Sequence, residues 1–372
     1  SVGHVVILVA MGGCWGDGYF AWEGPDTREH RPPRKPKPKP RGRRSDRPRV
    51  GLGYKGLAYD ERPVVEPKPK KAKPSYPVRL KYSLKGHRGS IYAVEFDWEG
   101  DYLLSAGEDR QIILWNAKDG DMVKTYPINH SGDILCLLIA HDRKYFLSAA
   151  SDGKIFMWNT VKGTVTRALM IPRFAKPNSL SWNEDESILA CGTEDGQIHI
   201  WDLKSRNSKP IQSLRQASGA ISSVVVDQPV IIAGSADGSA RMYDVRTGKL
   251  VTRNFGGPAI GSIRVSKDKR LFLVSCLDNT IRVIDRETGD QLMSYKGHEN
   301  CKYRIPSLFS NDGSLIVSGS EDGHVHFWDV VGGSLKHSIR HGNEAVLCVT
   351  LHPRTHVIAT AGPKDGVIRI WE

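Results

Sequence analysis

The sequence lacks the patterns that mark metal sites, membrane spans and nucleotide sites. Its 6 cysteines include no C-x-x-C pair and its 13 histidines are scattered, so no zinc site is predicted. The apolar run Val5–Ala10 is far too short to cross a membrane. The G-x-G-x-x-G match at Gly51–Gly56 lacks a preceding strand and a following helix, so we reject nucleotide binding. We therefore expect no enzyme, no cofactor, no metal and no small-molecule substrate.

Positive charge is concentrated near the N-terminus. The formal net charge is +12, most of it lies in residues 1–80, and the remainder is close to neutral. The run RPPRKPKPKPRGRRSDRPR combines prolines with like charges, which favours extended chain over a packed core. We predict that residues 1–77 form a basic, Pro-rich, largely disordered extension, acting either as a solvated linker or as an arm for RNA, an acidic protein or nuclear import. The basic residues of this arm are Arg31, Arg34, Lys35, Lys37, Lys39, Arg41, Arg43, Arg44, Arg47 and Arg49.

The rest of the chain repeats one short pattern, seen at SGSEDGHVHFWD (Ser318–Asp329). A turn acid is followed six residues later by an aromatic or apolar residue, and this spacing occurs seven times. The pairs are Asp109 and Trp115, Asp152 and Trp158, Asp195 and Trp201, Asp237 and Tyr243, Asp278 and Ile284, Asp322 and Trp328, and Asp365 and Trp371. A period of about 40–45 residues with Gly-His and Trp-Asp marks is typical of WD-repeat propeller blades.

Short alternating runs between Gly, Asp and Asn turns predict an all-β chain, a seven-bladed β-propeller over residues 78–372. In blade 1, strands are expected at Ile91–Phe96, Tyr102–Ala106 and Ile112–Trp115. The last blade ends at its third strand, so a fourth must come from elsewhere. Residues 78–84 (VRLKYSL) alternate suitably, and we predict that they close the ring by pairing with the last blade.

In WD-repeat propellers a His before the first strand, a Ser, the turn Asp and the Trp form a buried hydrogen-bonded chain, since buried polar groups need partners. We call this chain the brace. Its recurrence at the repeat period favours a structural role over a catalytic triad. Blades 4 and 5 lack the His and the Trp and are expected to be less rigidly held. Complete braces are predicted from His87, Ser105, Asp109 and Trp115, from His130, Ser148, Asp152 and Trp158, and from His298, Ser318, Asp322 and Trp328.

Blades 3 to 7 resemble the mitogen-activated protein kinase organizer family, a group of intracellular seven-bladed WD-repeat scaffolds. The resemblance includes Tyr243 and Ile284 at the usual Trp positions, and it implies assembly of kinase-cascade components and association with the spliceosome. The matching stretches are SRNSKPIQSL (205–214), AGSADGSARMYDVRTG (233–248), LDNTIRVIDRETGDQL (277–292), YKGHENCKY (295–303) and SEDGHVHFWD (320–329).

Three functions remain open. We rank a scaffold in a nuclear ribonucleoprotein assembly such as the spliceosome first, a cytoplasmic kinase-cascade scaffold second and a histone-peptide reader third. Cysteines placed in strand patterns indicate a reducing compartment, so we expect the nucleus and the cytoplasm. Partner proteins are expected on the face where the first strands begin. The candidate contact residues there are Ser90, Tyr92, Glu108, Phe174, Lys176, Glu194, Tyr303, Arg304, Glu321 and Glu344.

Overall fold

The computed structural model describes residues 76–254 and 258–372. The chain divides into two units, Ser1–Ala72 and Lys73–Glu372, and every described residue belongs to the second. The predicted extension up to residue 75, with its basic arm and the G-x-G-x-x-G match, lies outside the described residues. Within the described part, no helix is long and apolar enough to cross a membrane.

The described residues form seven four-stranded antiparallel sheets, which are the blades, and one 3-10 turn at Pro172–Phe174. The all-β, seven-bladed prediction is confirmed. The ring opens with β1 (Leu80–Lys85). Blades 1 to 3 contain β2 (Ile91–Phe96), β3 (Tyr102–Gly107), β4 (Ile112–Asn116), β5 (Met122–Tyr126), β6 (Ile134–Ile139), β7 (Tyr145–Ala150), β8 (Lys154–Asn159), β9 (Val165–Met170), β10 (Pro177–Trp182), β11 (Ile188–Thr193), β12 (Ile198–Asp202) and β13 (Gln212–Leu214).

Blades 4 to 6 continue the same order of consecutive strands, and blade 7 combines the last three strands with β1. These blades contain β14 (Ile221–Asp227), β15 (Val230–Ser235), β16 (Ser239–Asp244), β17 (Leu250–Asn254), β18 (Ile260–Val265), β19 (Leu271–Cys276), β20 (Thr280–Asp285), β21 (Gln291–Tyr295), β22 (Ser307–Phe309), β23 (Leu315–Gly319), β24 (His324–Asp329), β25 (Leu335–Arg340), β26 (Cys348–Leu351), β27 (Ile358–Ala361) and β28 (Val367–Trp371).

Burial decreases from the inner strands of a blade to its outermost strand, and the residues become more polar in the same direction. The second strand of blade 1, YLLSAG, is buried along almost its whole length, because adjacent blades cover both of its faces. The outermost strand, MVKTY, is mostly exposed and carries polar residues. Apolar side chains fill the space between blades: one core cluster joins Ile91 and Phe96 of blade 1 to Ile368 and Ile370 of blade 7.

The ring closes where β1 pairs antiparallel with β28. Leu84 lies opposite Ile368, and Lys85 lies opposite Val367. The backbone N–H groups of Val78 and Arg79 both donate to the Glu372 carbonyl at 3.0 Å. The N-terminal strand therefore covers an edge that blade 7 would otherwise leave open.

The first strands of all seven blades surround a central channel of about 520 Å³. In blades 1 to 5 the pairing of the first strand shifts register after its first residue, as between Ile91 and Ala93 in blade 1. The extra residue of each bulge lines the channel. These residues are Tyr92, Leu135, Asn178, Ser222 and Gly261.

Removing β1 should destabilise the whole ring. We expect a chain that starts at residue 86 to be less stable than one that starts at residue 76, by at least about 3 kcal/mol, because it exposes Leu84 and unpairs the β28 edge. Urea unfolding of the two chains measures the difference. Equal unfolding midpoints would show that this pairing does not hold the ring together.

Candidate functional site

The braces of blades 1 and 2 are formed as the sequence predicts. The His87 ring lies 2.9 Å from Asp109 through Nδ1 and 2.7 Å from the Ser105 hydroxyl through Nε2. The Trp115 indole N–H donates to the same hydroxyl at 2.8 Å. Because the carboxylate can only accept, Nδ1 carries the hydrogen that binds Asp109. Blade 2 repeats this chain through its own four residues, His130, Ser148, Asp152 and Trp158.

The Gly-His mark also has a steric cause. A β-carbon at Gly86 would lie 2.9 Å from the Trp115 ring, so only glycine lets the loop pass this close to the indole. The same loop continues to Ser90, whose backbone N–H donates to the Glu108 carboxylate at 3.0 Å. The brace therefore sets the position of the loop that leads into β2. We call the face that carries these leading loops, together with the turns between second and third strands, the top face.

The brace predicted for blade 6 is wrong. Both ring nitrogens of His298 are buried without a hydrogen-bond partner. Ser318 donates to the Gly319 carbonyl, and the Trp328 indole donates to the Lys296 carbonyl. The physical reason lies in β24: His326, four residues after Asp322, places its Nε2 3.3 Å from that carboxylate and takes the position that His298 would need.

Blades 4 and 5 also differ from the prediction, because each has a brace of another kind. Arg241 and Arg282, four residues after their turn acids, bind Asp237 at 2.8 Å and Asp278 at 2.6 Å. This ion pair between the turn and the strand that follows it replaces the contact of the missing His. The arginine N–H groups lower the pKa of both carboxyls against the opposing effect of burial. The sequence signal was an Arg four residues after the turn acid.

Blade 7 combines both kinds of brace, which sequence reasoning missed. Arg369 binds Asp365 at 2.7 Å and also donates to Nε2 of His341 at 2.8 Å. Nδ1 of His341 and the Trp371 indole each lie 2.8 Å from the Thr360 hydroxyl. The hydrogen-bonded chain of blade 7 therefore has one more residue than the four-residue brace of blade 1.

The acidic candidates on the top face mostly hold loops of their own blade. The Glu321 carboxylate accepts backbone N–H groups from Cys301, Lys302 and Tyr303 at 2.6–3.0 Å. Glu194 lies 4.0 Å from Lys176, and Glu344 lies 3.2 Å from Lys364. Together with Glu108 and its contact to Ser90, these carboxylates shape the top face more than they offer free charge to a partner.

The aromatic candidates point outward from the same face. Phe174 is 63% exposed and Tyr303 is 43% exposed. Arg173 and Phe174 both have positive φ, 58° and 53°, a left-handed conformation that costs roughly 1–2 kcal/mol per residue. Such local strain clusters at functional positions, and here it holds an aromatic ring in solvent. Tyr303 lies on the loop that Glu321 fastens.

Two charged residues of the channel were not singled out from the sequence. Glu95 of β2 and Arg264 of β18 line the channel from blades on opposite sides of the ring, and Arg304 lines it as well. Burial raises the pKa of Glu95 to about 7, although the positive charge of Arg264 opposes that shift. The only signal was a charged residue inside each of two otherwise apolar strands, IYAVEF and IGSIRV.

No metal chemistry is indicated within the described part of the chain, where no group of three or more His, Cys, Asp or Glu side chains could hold an ion. The five described cysteines are free, and four of them are buried. Burial raises the pKa of Cys136 to about 12, so this channel thiol stays neutral. The described lining of the channel can therefore bind a partner by contact and charge.

Comparison with known proteins agrees with this geometry. The family model described as "Nucleolar protein 10-like, N-terminal domain" matches residues 90–309, and the one described as "WD domain, G-beta repeat" matches residues 333–372. The chain is therefore a WD-repeat propeller, a class that typically serves as a non-catalytic interaction scaffold.

Similar curated proteins come from several organisms. WD repeat domain-containing protein 83 is 47% identical in Rattus norvegicus and 44% identical in Homo sapiens; each match covers 82% of this chain and 95% of the relative. The homolog from Dictyostelium discoideum is 31% identical over 78% of this chain and 96% of its own length. The chain belongs to the WD repeat domain-containing protein 83 family, also called the mitogen-activated protein kinase organizer family.

The brace hydroxyls should differ in their contribution to stability. We expect Ser105→Ala to lower the free energy of unfolding by about 2 kcal/mol, because it leaves Nε2 of the buried His87 ring and the Trp115 indole N–H without a partner. The matched variant Ser318→Ala should cost less than about 1 kcal/mol, since that hydroxyl bonds only its neighbouring carbonyl. Urea unfolding measures both, and equal costs would contradict the difference between the two blades.

The buried His298 should make stability depend on pH. Burial lowers its pKa to about 4, whereas histidine in an unfolded chain titrates near 6.5. Between these values the unfolded chain binds the extra proton, so stability is present above pH 6.5 and is lost as the pH falls toward 4. We expect His298→Gln to lose less stability than the parent chain between pH 7 and pH 4.5, by up to about 3 kcal/mol, in urea unfolding.

The control for this pH effect is His356→Gln, which changes an exposed histidine and should lose as much stability as the parent chain. An identical pH dependence in His298→Gln and His356→Gln would show that protonation of His298 does not oppose folding.

Proposed function

We propose that this chain is a non-catalytic scaffold subunit of a nuclear ribonucleoprotein assembly, the spliceosome. The observation that carries the proposal is the pair of exposed rings on the top face, Phe174 and Tyr303, held by a strained turn and by the Glu321 carboxylate. Rigid, exposed aromatic residues are the side chains that most often dominate protein interfaces. Their fixed loops would spare a partner the entropic cost of ordering them.

The basic arm at residues 31–49 is the second support for a ribonucleoprotein setting. Most of the chain's net positive charge lies in the N-terminal region, and the ring is close to neutral. The ring would bind proteins, while the arm would neutralise the phosphates of RNA or bind an acidic partner. This division of labour suits a nuclear subunit that also passes through the cytoplasm.

The alternative is a cytoplasmic scaffold for a mitogen-activated protein kinase cascade, which the family resemblance implies as well. A histone-peptide reader has less support. Among the described channel-lining residues, Tyr92 is the only aromatic, and Arg264 and Arg304 would repel a cationic peptide. An aromatic cage for a methylated or cationic side chain is thus not formed by the described wall.

Affinity purification from nuclear extract, read by mass spectrometry with and without nuclease, tests the proposal. We expect the full chain to recover splicing factors, and the variant Phe174→Ala with Tyr303→Ala to lose at least about 10-fold of them, because truncating exposed anchors costs about 1–2 kcal/mol each. Recovery of kinases that resist nuclease would instead support the cascade scaffold.

The matched control removes two exposed apolar side chains from the opposite face, Trp98→Ala with Val161→Ala. Trp98 is 62% exposed and Val161 is 84% exposed, so the control changes similar surface away from the proposed contact. If both double variants recover partners as well as the parent chain does, the top face is not the interface. If neither splicing factors nor kinases are recovered by the parent chain, both scaffold proposals are wrong.

A further inference from the structure

The central channel contains two arginines whose hydrogen-bonding capacity is largely unused. The Arg264 guanidinium, with five N–H donors, makes one hydrogen bond within the described residues, from Nη1 to the Ile263 carbonyl at 3.3 Å. The exposed Arg304 side chain, at the channel mouth, makes no hydrogen bond or ion pair with the described residues. Both arginines line the same cavity. Elsewhere in the ring Arg241, Arg282 and Arg369 are each paired with a carboxylate.

The one carboxylate of the described channel wall does not pair with either arginine. Glu95 lies on β2, across the channel from Arg264, and no ion pair or hydrogen bond joins it to a described residue. Its side chain is half-buried in the channel wall, and burial is the largest influence on its pKa. The channel between the Glu95 wall and the Arg264 wall is open space that an anionic group could fill.

The polar wall of blade 3 adds further donors. The Ser179 and Ser181 hydroxyl oxygens accept the backbone N–H groups of Val224 and Val226 at 3.1 and 3.0 Å. An oxygen that accepts in this way keeps its own hydrogen, which can be donated into the channel. The cavity of about 520 Å³ is much larger than a single small anion, and it has room for a side chain together with part of its backbone.

We propose that the channel receives an acidic side chain of an extended partner segment, which enters past Arg304 and places its carboxylate between Arg304 and Arg264. The occupant is inferred from charge: two unpaired guanidinium groups select a carboxylate, and the serine hydroxyls suit its remaining oxygen lone pairs. This inference rests on the proposed scaffold function, since it assigns the chemistry of one partner contact. The channel would be a second contact, apart from Phe174 and Tyr303.

Binding should depend on pH through Glu95. The charged groups that face the channel are Glu95, Arg264 and Arg304, and burial keeps the Cys136 and Cys348 thiols neutral. As the pH falls through about 7, Glu95 takes up a proton and its repulsion of an incoming carboxylate disappears. The protonated carboxyl can also donate a hydrogen bond to the ligand. Acidic segments should therefore bind more tightly at pH 6 than at pH 8.

Fluorescence anisotropy with the full chain and a fluorescein-labelled hexaglutamate peptide tests the proposal. We expect Arg264→Gln and Arg304→Gln each to weaken binding by at least about 10-fold, since each removes a charge-assisted hydrogen bond. Arg354→Gln, an exposed arginine on the opposite face, should change it by less than about 2-fold. The basic arm is the same in every variant and gives each the same background binding, so differences between variants report the ring. Arg304→Gln keeps the test valid if Arg264→Gln fails to fold.

Comparison of the parent chain with Glu95→Gln isolates Glu95, because the histidines gain charge in both as the pH falls. Hexaglutamate binding should tighten from pH 8 to pH 6 by a clearly larger factor in the parent chain than in Glu95→Gln. A fluorescein-labelled hexalysine peptide should show no loss of binding in Arg264→Gln.

Four outcomes would overturn the inference. The first two are equal weakening of hexaglutamate binding by Arg354→Gln, and unchanged binding in both Arg264→Gln and Arg304→Gln. The third is a labelled oligouridine that loses affinity in Arg264→Gln where hexaglutamate does not, which would make the channel a nucleic-acid site. The fourth is displacement of hexaglutamate by inorganic phosphate at similar concentration, which would assign the channel to free anions.

If both channel arginine variants leave hexaglutamate binding unchanged while Phe174→Ala with Tyr303→Ala still loses partners, the channel inference fails and the scaffold proposal stands.

Discussion

The pairing of β1 with β28 is the interaction on which the rest of the propeller depends. Each blade buries its apolar faces only against two neighbours, so a ring with one incomplete blade would expose both a strand edge and part of a core. Leu84 contributes to the same core cluster as Ile91 of blade 1 and Ile370 of blade 7. Because this cluster spans the junction, the two ends of the chain fix the first and last blades against each other. Every loop on the top face takes its position from that closure.

Within the closed ring, each turn acid has to find a partner, and the choice of partner differs between blades. His87 reaches Asp109 from the loop before β2, whereas Arg241 reaches Asp237 from β16, the strand that follows the turn. In both blades the turn acid also binds the leading loop, through the backbone N–H of Arg88 at 2.9 Å in blade 1 and of Ser218 at 3.1 Å in blade 4. In blade 6 the Asp322–His326 contact releases His298, and Glu321 fastens the loop carrying Tyr303 instead. The partner of each turn acid therefore influences which residues hold the leading loops on the top face.

The charged residues of the channel differ from the turn acids, because they have no ion-pair partner that would offset the cost of burying them. A charged residue inside a propeller wall costs desolvation, and Glu95 and Arg264 do not repay it to each other by an ion pair. Structural charges of this ring, such as Arg286 with Asp227, are paired. Glu95 and Arg264 are held apart around open space, so a role in ligand binding explains them better than a role in folding does. Residues with shifted pKa values often lie at binding sites. The acidic-segment inference follows from this contrast.

The sequence by itself determined the seven repeats, the strand positions, the closing strand and the braces of blades 1 and 2. The repeats, the strand positions and the braces follow from residue spacing within one repeat. The closing strand follows from comparing the last repeat, which has three strands, with the others, which have four. It did not determine whether His298 or His326 binds Asp322, because both have the right chemistry and only the side-chain positions in the folded blade distinguish them. Nor could it predict that Glu95 and Arg264 face each other across open space. They lie in blades far apart in sequence, and only closure of the ring brings their strands around one channel.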